Sequence, residues 1–124
     1  MFKQARLQTI VWTSDRARAA AFYGEVLGLT PAGESHGALI YRVGDGELRV
    51  SPVPATEPSA HTVLGFAVPD VRAVAAALAE KGVALERFAH FRHDADGVWR
   101  APDGAEVAWF RDPDGNLLSA VRYA

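Results

Sequence analysis

Thr9-Ile10-Val11-Trp12-Thr13-Ser14-Asp15 is answered further along the chain by Leu64-Gly65-Phe66-Ala67-Val68-Pro69-Asp70, and the two aspartates stand 55 residues apart (70 − 15). Each stretch reads as a strand that feeds a helix, and a repeat at fixed offset is the first thing that decides a fold. Beyond Asp15 the apolar residues Ala19, Phe22, Tyr23, Val26 and Leu27 fall at i, i+3, i+4, i+7 and i+8, and beyond Asp70 the residues Val71, Val74, Ala75, Leu78 and Ala79 repeat that spacing. Each helix therefore buries one stripe. Asp15 and Asp70 are placed to accept hydrogen bonds from the free N–H groups of the first turn, and Gly28 and Gly82 suit the left-handed residue that closes a helix.

Strand-like segments follow each helix: Ala38 to Val43 and Glu47 to Val50 around Gly44-Asp45-Gly46, then Leu85 to Phe91, Val98 to Ala101, Ala105 to Arg111 and Leu117 to Tyr123. Pro102-Asp103-Gly104 and Asp112-Pro113-Asp114-Gly115-Asn116 supply the tight reversals between them. The second half reads β-α-β-β-β, and the first half has the same order, with a weakly marked strand at Leu29 to Glu34. Between the halves lies Pro52-Val53-Pro54-Ala55-Thr56-Glu57-Pro58-Ser59, an extended connector whose prolines cannot donate to a ladder. The expected architecture is one α+β domain over residues 1–124: module 1 at about 5–51, the connector at 52–59 and module 2 at 60–124. The two βαβββ modules would form a concave mixed sheet with the helices outside. Period-2 alternation then gives the residues that reach the concavity. With Val11, Leu64 and Phe66 under the helices, these are Gln8, Ile10 and Trp12 on one strand, and His61, Val63 and Gly65 on the other.

Composition narrows the function classes. A chain of 124 residues buries roughly two thirds of its unfolded surface. With no cysteine there is no disulfide, thiolate ligand or cysteine nucleophile. Lys and Arg number 13 against 15 Asp and Glu, without long blocks of one sign, so neither nucleic acid nor an anionic membrane is an expected partner. The amino terminus runs into a strand pattern rather than an apolar leader, and no apolar run approaches ~18 residues, which reads as a cytoplasmic protein.

The order of strand, Asp15, Phe22-Tyr23, Leu27-Gly28-Leu29, a second strand ending in Asp70, and Phe110-Arg111-Asp112-Pro113-Asp114-Gly115-Asn116 resembles the vicinal-oxygen-chelate superfamily of glyoxalases, bleomycin-resistance proteins and extradiol dioxygenases. The resemblance implies the paired-module fold and, by analogy, a homodimer. It also implies four metal-ligand positions, usually His, Glu or Gln. Here those positions carry Gln8, a weak oxygen ligand; Val63, which has no donor atom; Ser119, a poor ligand; and a residue within Glu47-Leu48-Arg49-Val50-Ser51, where alternation points Arg49 and Ser51 inward with Glu47. No cofactor is therefore expected, and a divalent metal would need His61 to take the role lost at Val63.

Plainer roles account for several of the remaining groups. His90 and His93 would point opposite ways on a strand, which argues against chelation, and His36 sits in a turn-like stretch. Arg49, inward in a pocket without a metal, would suit a carboxylate or phosphate. Buried tryptophan in a small domain is usually core, but Trp12 lies on the concave face, and Trp109 joins Ser119 there if the turn pairs Arg111 with Leu117. The Asp112–Asn116 turn reads as structural, and no serine-nucleophile arrangement or phosphate-binding loop is present. The reading is a protein that binds a small aromatic or anionic organic ligand through Gln8, Trp12, Arg49, Ser51, His61, Trp109 and Ser119, with no residue forced to be catalytic. The alternatives are a metal-dependent lyase, isomerase or dioxygenase using Gln8 and His61, and a protein-interaction module.

Overall fold

A computed structural model describes residues 1–124. The chain divides into two compact units, Met1–Glu57 and Pro58–Ala124. Each has a four-stranded mixed sheet and one helical stretch, the two-module α+β architecture expected from the repeat. No helix is long and apolar enough to cross a membrane.

In the first unit β1 (Gln8–Thr13) lies parallel to β4 (Gly46–Pro52), and antiparallel β3 (Ala38–Val43) and β2 (Thr30–Ser35) complete the order β1-β4-β3-β2. The weakly marked strand after Gly28 thus forms, with a bulge between Pro31 and Gly33. The register sets Val11 beside Val50 and Tyr41 beside Leu48, and all four are buried. Tyr23 packs against that face, its ring 6.2 Å from Tyr41. The opposite face carries Gln8, Ile10 and Trp12 beside Glu47, Arg49 and Ser51.

The first helix departs from the expected regular α-helix. After α1 (Arg16–Ala20) the chain widens into a π-helical turn over Ala21–Val26, closed by Leu27 N–H donating to the Phe22 carbonyl at 2.9 Å. The wider turn accompanies burial of both adjacent rings, Phe22 and Tyr23. The caps form as the sequence indicates: Asp15 accepts from Arg18 N–H and Asp70 from Ala73 N–H, both at 3.0 Å. Gly28 and Gly82 close the helical stretches with φ of 70° and 79°.

The second unit repeats the topology as β5 (Thr62–Ala67), α2 (Val71–Glu80), β6 (Trp99–Arg100), β7 (Glu106–Arg111) and β8 (Leu117–Arg122), in sheet order β5-β8-β7-β6. Val71 and Ala75 of α2 pack on Ala108 and Val98, so the helix covers one sheet face. On that side the Glu106 carboxylate accepts from Arg122 Nε and Arg72 Nε, each at 3.1 Å. These guanidinium contacts hold its carboxyl below the usual range, Arg122 contributing most, against the opposing effect of burial.

Leu85 to Phe91 is not a strand. Its backbone joins the sheet only where Glu86 bridges Trp109, and the chain then turns across the face opposite α2. Alternation failed there because the aromatic side chains pack on sheet rings distant in sequence rather than on strand neighbours. The pairing of Arg111 with Leu117 does form, and it brings Trp109 opposite Ser119.

Candidate functional site

Four of the residues singled out from sequence lie on the open face of the first unit. Gln8 Nε2 donates to Glu47 Oε2 at 2.7 Å, and Arg49 donates to the Ser35 carbonyl at 2.9 Å. Trp12, 52% exposed, stands beside Ser51, and Ile10, 46% exposed, beside Arg49. The face thus carries two apolar side chains on β1, while Gln8 joins the polar row of β4.

The donor chemistry at the four positions the resemblance assigns to a metal does not fit one. Val63 offers no lone pair and Ser119 only a neutral hydroxyl, while Gln8 has its amide engaged by the Glu47 carboxylate and the remaining position falls on the face where Glu47 stands with the Arg49 cation and Ser51. Val63 is moreover the extra residue of a bulge, since Thr62 pairs with Leu117 and Leu64 with Leu118. His61 precedes β5 and the bulge, outside the regular part of the strand. No group of three or more His, Asp or Glu side chains is gathered as a metal site.

The second unit holds the other three residues, and with them a cleft of about 340 Å³ lined by His61, Phe88, His90, Phe91, Trp109 and Leu117. Phe91 stacks on Trp109 with ring centroids 5.1 Å apart and planes 10° apart, and Phe88 meets Trp109 edge-on at 5.4 Å. Trp99 and the His90 ring stand 4.5 and 4.3 Å from Phe91. Such offset and edge contacts suit the ring quadrupoles, and the same surface can take a further flat ring. Ser119 is set between Trp109 and Gly65, where a Cβ would come within 3.1 Å of its Oγ, so the glycine leaves room for the hydroxyl.

The turn that carries Phe88 and Phe91 is tied at its base. Phe88 N–H donates to His93 Nε2 at 2.9 Å, and His93 Nδ1 lies 2.9 Å from the Gly97 carbonyl. Both bonds are satisfied when the imidazole proton sits on Nδ1. Arg87 donates to the carbonyls of Asp94 and Ala95, each at 3.1 Å. The Asp94 carboxylate accepts from Arg72 at 2.8 Å and from Asp96 N–H and Val98 N–H; Arg72 above all holds its carboxyl below the ordinary value. On sequence alone His90 enters only as a chelating partner of His93, and Phe88 and Phe91 have no role in the site. Their signal was the run Arg87-Phe88-Ala89-His90-Phe91-Arg92-His93, dense in rings but without a period, closed by the turn residues Asp94-Ala95-Asp96-Gly97.

Comparison with known proteins places these features in context. A family model described as Glyoxalase/Bleomycin resistance protein/Dioxygenase superfamily matches residues 6–119. Among solved structures, a glyoxalase/bleomycin resistance protein from Streptomyces sp. CB03234 is 28% identical with a TM-score of 0.71, covering 94% of this chain and 98% of its own. The glyoxalase family protein from Enterococcus faecalis is 24% identical with a TM-score of 0.70, over 98% of this chain and all (100%) of its own. A lactoylglutathione lyase from Agrobacterium tumefaciens shares the fold at 19% identity and a TM-score of 0.73, over 96% and 93%. Among curated proteins none matches the sequence.

Proposed function

On the premise that this chain belongs to the glyoxalase/bleomycin resistance protein/dioxygenase superfamily, we propose that it binds a small aromatic or anionic organic molecule at a site whose metal positions are degenerate. The observation that carries this reading is the stacked pair Phe91 and Trp109, which forms the wall of a cleft with Leu117 and His61 beside it. A cleft walled by rings, with few polar groups to orient a ligand, is the ordinary construction of a small-molecule site. The replacements at Val63 and Ser119 support binding without a first-row metal, because at least two of the four assigned positions supply no good ligand, and Arg49 beside Glu47 adds a cation to the face that holds a third. Calorimetric titration with a flat aromatic probe such as a naphthyl alcohol tests it. Binding at one site, lost in Trp109→Ala while the fold persists, is the expected result. Absence of binding by every ring-bearing probe would overturn it.

A contact role for the first unit rests on a separate observation. β1 is an edge strand, and Ile10 and Trp12 are both exposed along it. Exposed apolar side chains on the open face of a terminal strand favour association, and a homodimer through this strand is the form it would take. Sedimentation of wild type against Ile10→Lys decides the point: the variant is expected to be monomeric at concentrations where wild type pairs.

A further inference from the structure

We propose that the ligand of the aromatic cleft carries its own negative charge on a short arm, and that Arg87 and Arg92 form the subsite that receives it. This deepens the binding function proposed above and rests on it. A second cleft, of about 440 Å³, lies against the same turn and is lined by Arg87, Phe88, Ala89, Phe91, Arg92 and His93. Phe88 and Phe91 line both clefts, so the rings that form one wall of the first also border the second.

Neither cleft is lined by an Asp or Glu, and two cations, Arg87 and Arg92, line the second. The carboxylates of the adjoining segment are answered elsewhere: Asp94 and Asp96 both pair with Arg72, at 2.8 and 3.0 Å, and Glu86 pairs with Arg111 at 2.8 Å. Arg87 is held by two backbone carbonyls, which fix the guanidinium in place without neutralising it. Arg92 is exposed at the rim and engaged by no carboxylate. His93 adds no charge in this arrangement, since one ring nitrogen accepts and the other faces a carbonyl. A fixed cation and a free one beside aromatic walls match a flat ring with a carboxylate, sulfonate or phosphate one or two bonds from it.

The test uses the whole chain and three probes of one shape: 2-naphthylacetate, neutral 2-(2-naphthyl)ethanol and cationic 2-(2-naphthyl)ethylammonium, titrated by calorimetry. The acetate is expected to bind about tenfold tighter than the alcohol at low salt, with the ammonium weakest, and the gap should narrow as salt rises. In Arg92→Gln, which breaks no contact of the fold, the preference should fall to about threefold, and in Arg87→Gln/Arg92→Gln it should vanish. Equal affinity of acetate and alcohol, or a preference untouched by Arg92→Gln, overturns the anion subsite and leaves the aromatic site standing. Failure of all three probes to bind overturns both. Thermal melts of each variant separate lost charge from lost folding.

Discussion

Phe91 and Trp109 lie face to face, 5.1 Å apart and 10° from parallel, although 18 residues (109 − 91) separate them and no strand ladder joins them. The contact holds the turn of residues 88–91 on the sheet through ring surface more than through backbone. Phe91→Ala is therefore expected to cost about 1–2 kcal/mol, less than a fully buried ring because Phe91 is only half-buried. Urea denaturation followed by far-UV circular dichroism gives the number, and the near-UV tryptophan signal should change in the native baseline as well. An unaltered near-UV spectrum would mean that the stack is absent in solution.

The Glu106 and Asp94 carboxyls, both held below their ordinary values of 4.5 and 3.8, make stability fall on the acid side. A carboxyl with a folded value below its unfolded one stabilises the fold above the unfolded value. That contribution disappears as pH drops through the lower, folded value. Wild type should lose stability progressively below about pH 5, and Glu106→Gln should show a shallower acid slope together with a lower plateau at neutral pH. Midpoints of urea unfolding against pH measure both quantities.

Gly115 and Gly82 have nearly equal φ, 83° and 79°, in different surroundings. A Cβ at Gly82 meets nothing within 4 Å, whereas at Gly115 it would come within 3.0 Å of the Pro58 Cα. Gly82→Ala should cost about 1 kcal/mol, the price of a left-handed alanine alone, and Gly115→Ala about 2–4 kcal/mol because the backbone at Pro58 must also move. Equal losses in thermal melts would show that the Pro58 contact yields without cost.

The absence of a good donor at Val63 and Ser119, with the Arg49 cation beside Gln8 and Glu47, leads to a prediction about metals. Protein prepared without chelator should carry well below one equivalent of Ni, Zn, Mn or Fe by elemental analysis. Millimolar additions of these ions should leave the melting temperature unchanged, since a ligand that prefers the native state must raise it. A saturable rise of several degrees would return the metal-dependent lyase or dioxygenase reading to first place.

Much of the fold was legible because its signals are local. The repeat of strand, aspartate, helix and glycine fixes two starts and two stops within a few residues each, and Asp15, Asp70, Gly28 and Gly82 all take the roles their chemistry suits. Alternation also gave the open face of β1, because side-chain direction in a regular strand is decided by position alone. The pairing of Trp109 with Ser119 followed from the length of the Asp112–Asn116 turn.

Long-range contacts settled the places where neighbours in space are distant in sequence. The π-helical turn that buries Phe22 and Tyr23 together, the bulge that displaces Val63, and the folding of Phe88, His90 and Phe91 over Trp109 leave no period in the chain. A ring run such as residues 87–93 satisfies itself as a strand or as a turn equally well on local grounds. The sequence by itself determined the two-module frame, through propensities and patterns that act within one element. The aromatic wall was settled by contacts with the sheet, because stacking and burial depend on which surfaces the completed fold brings within a few ångströms.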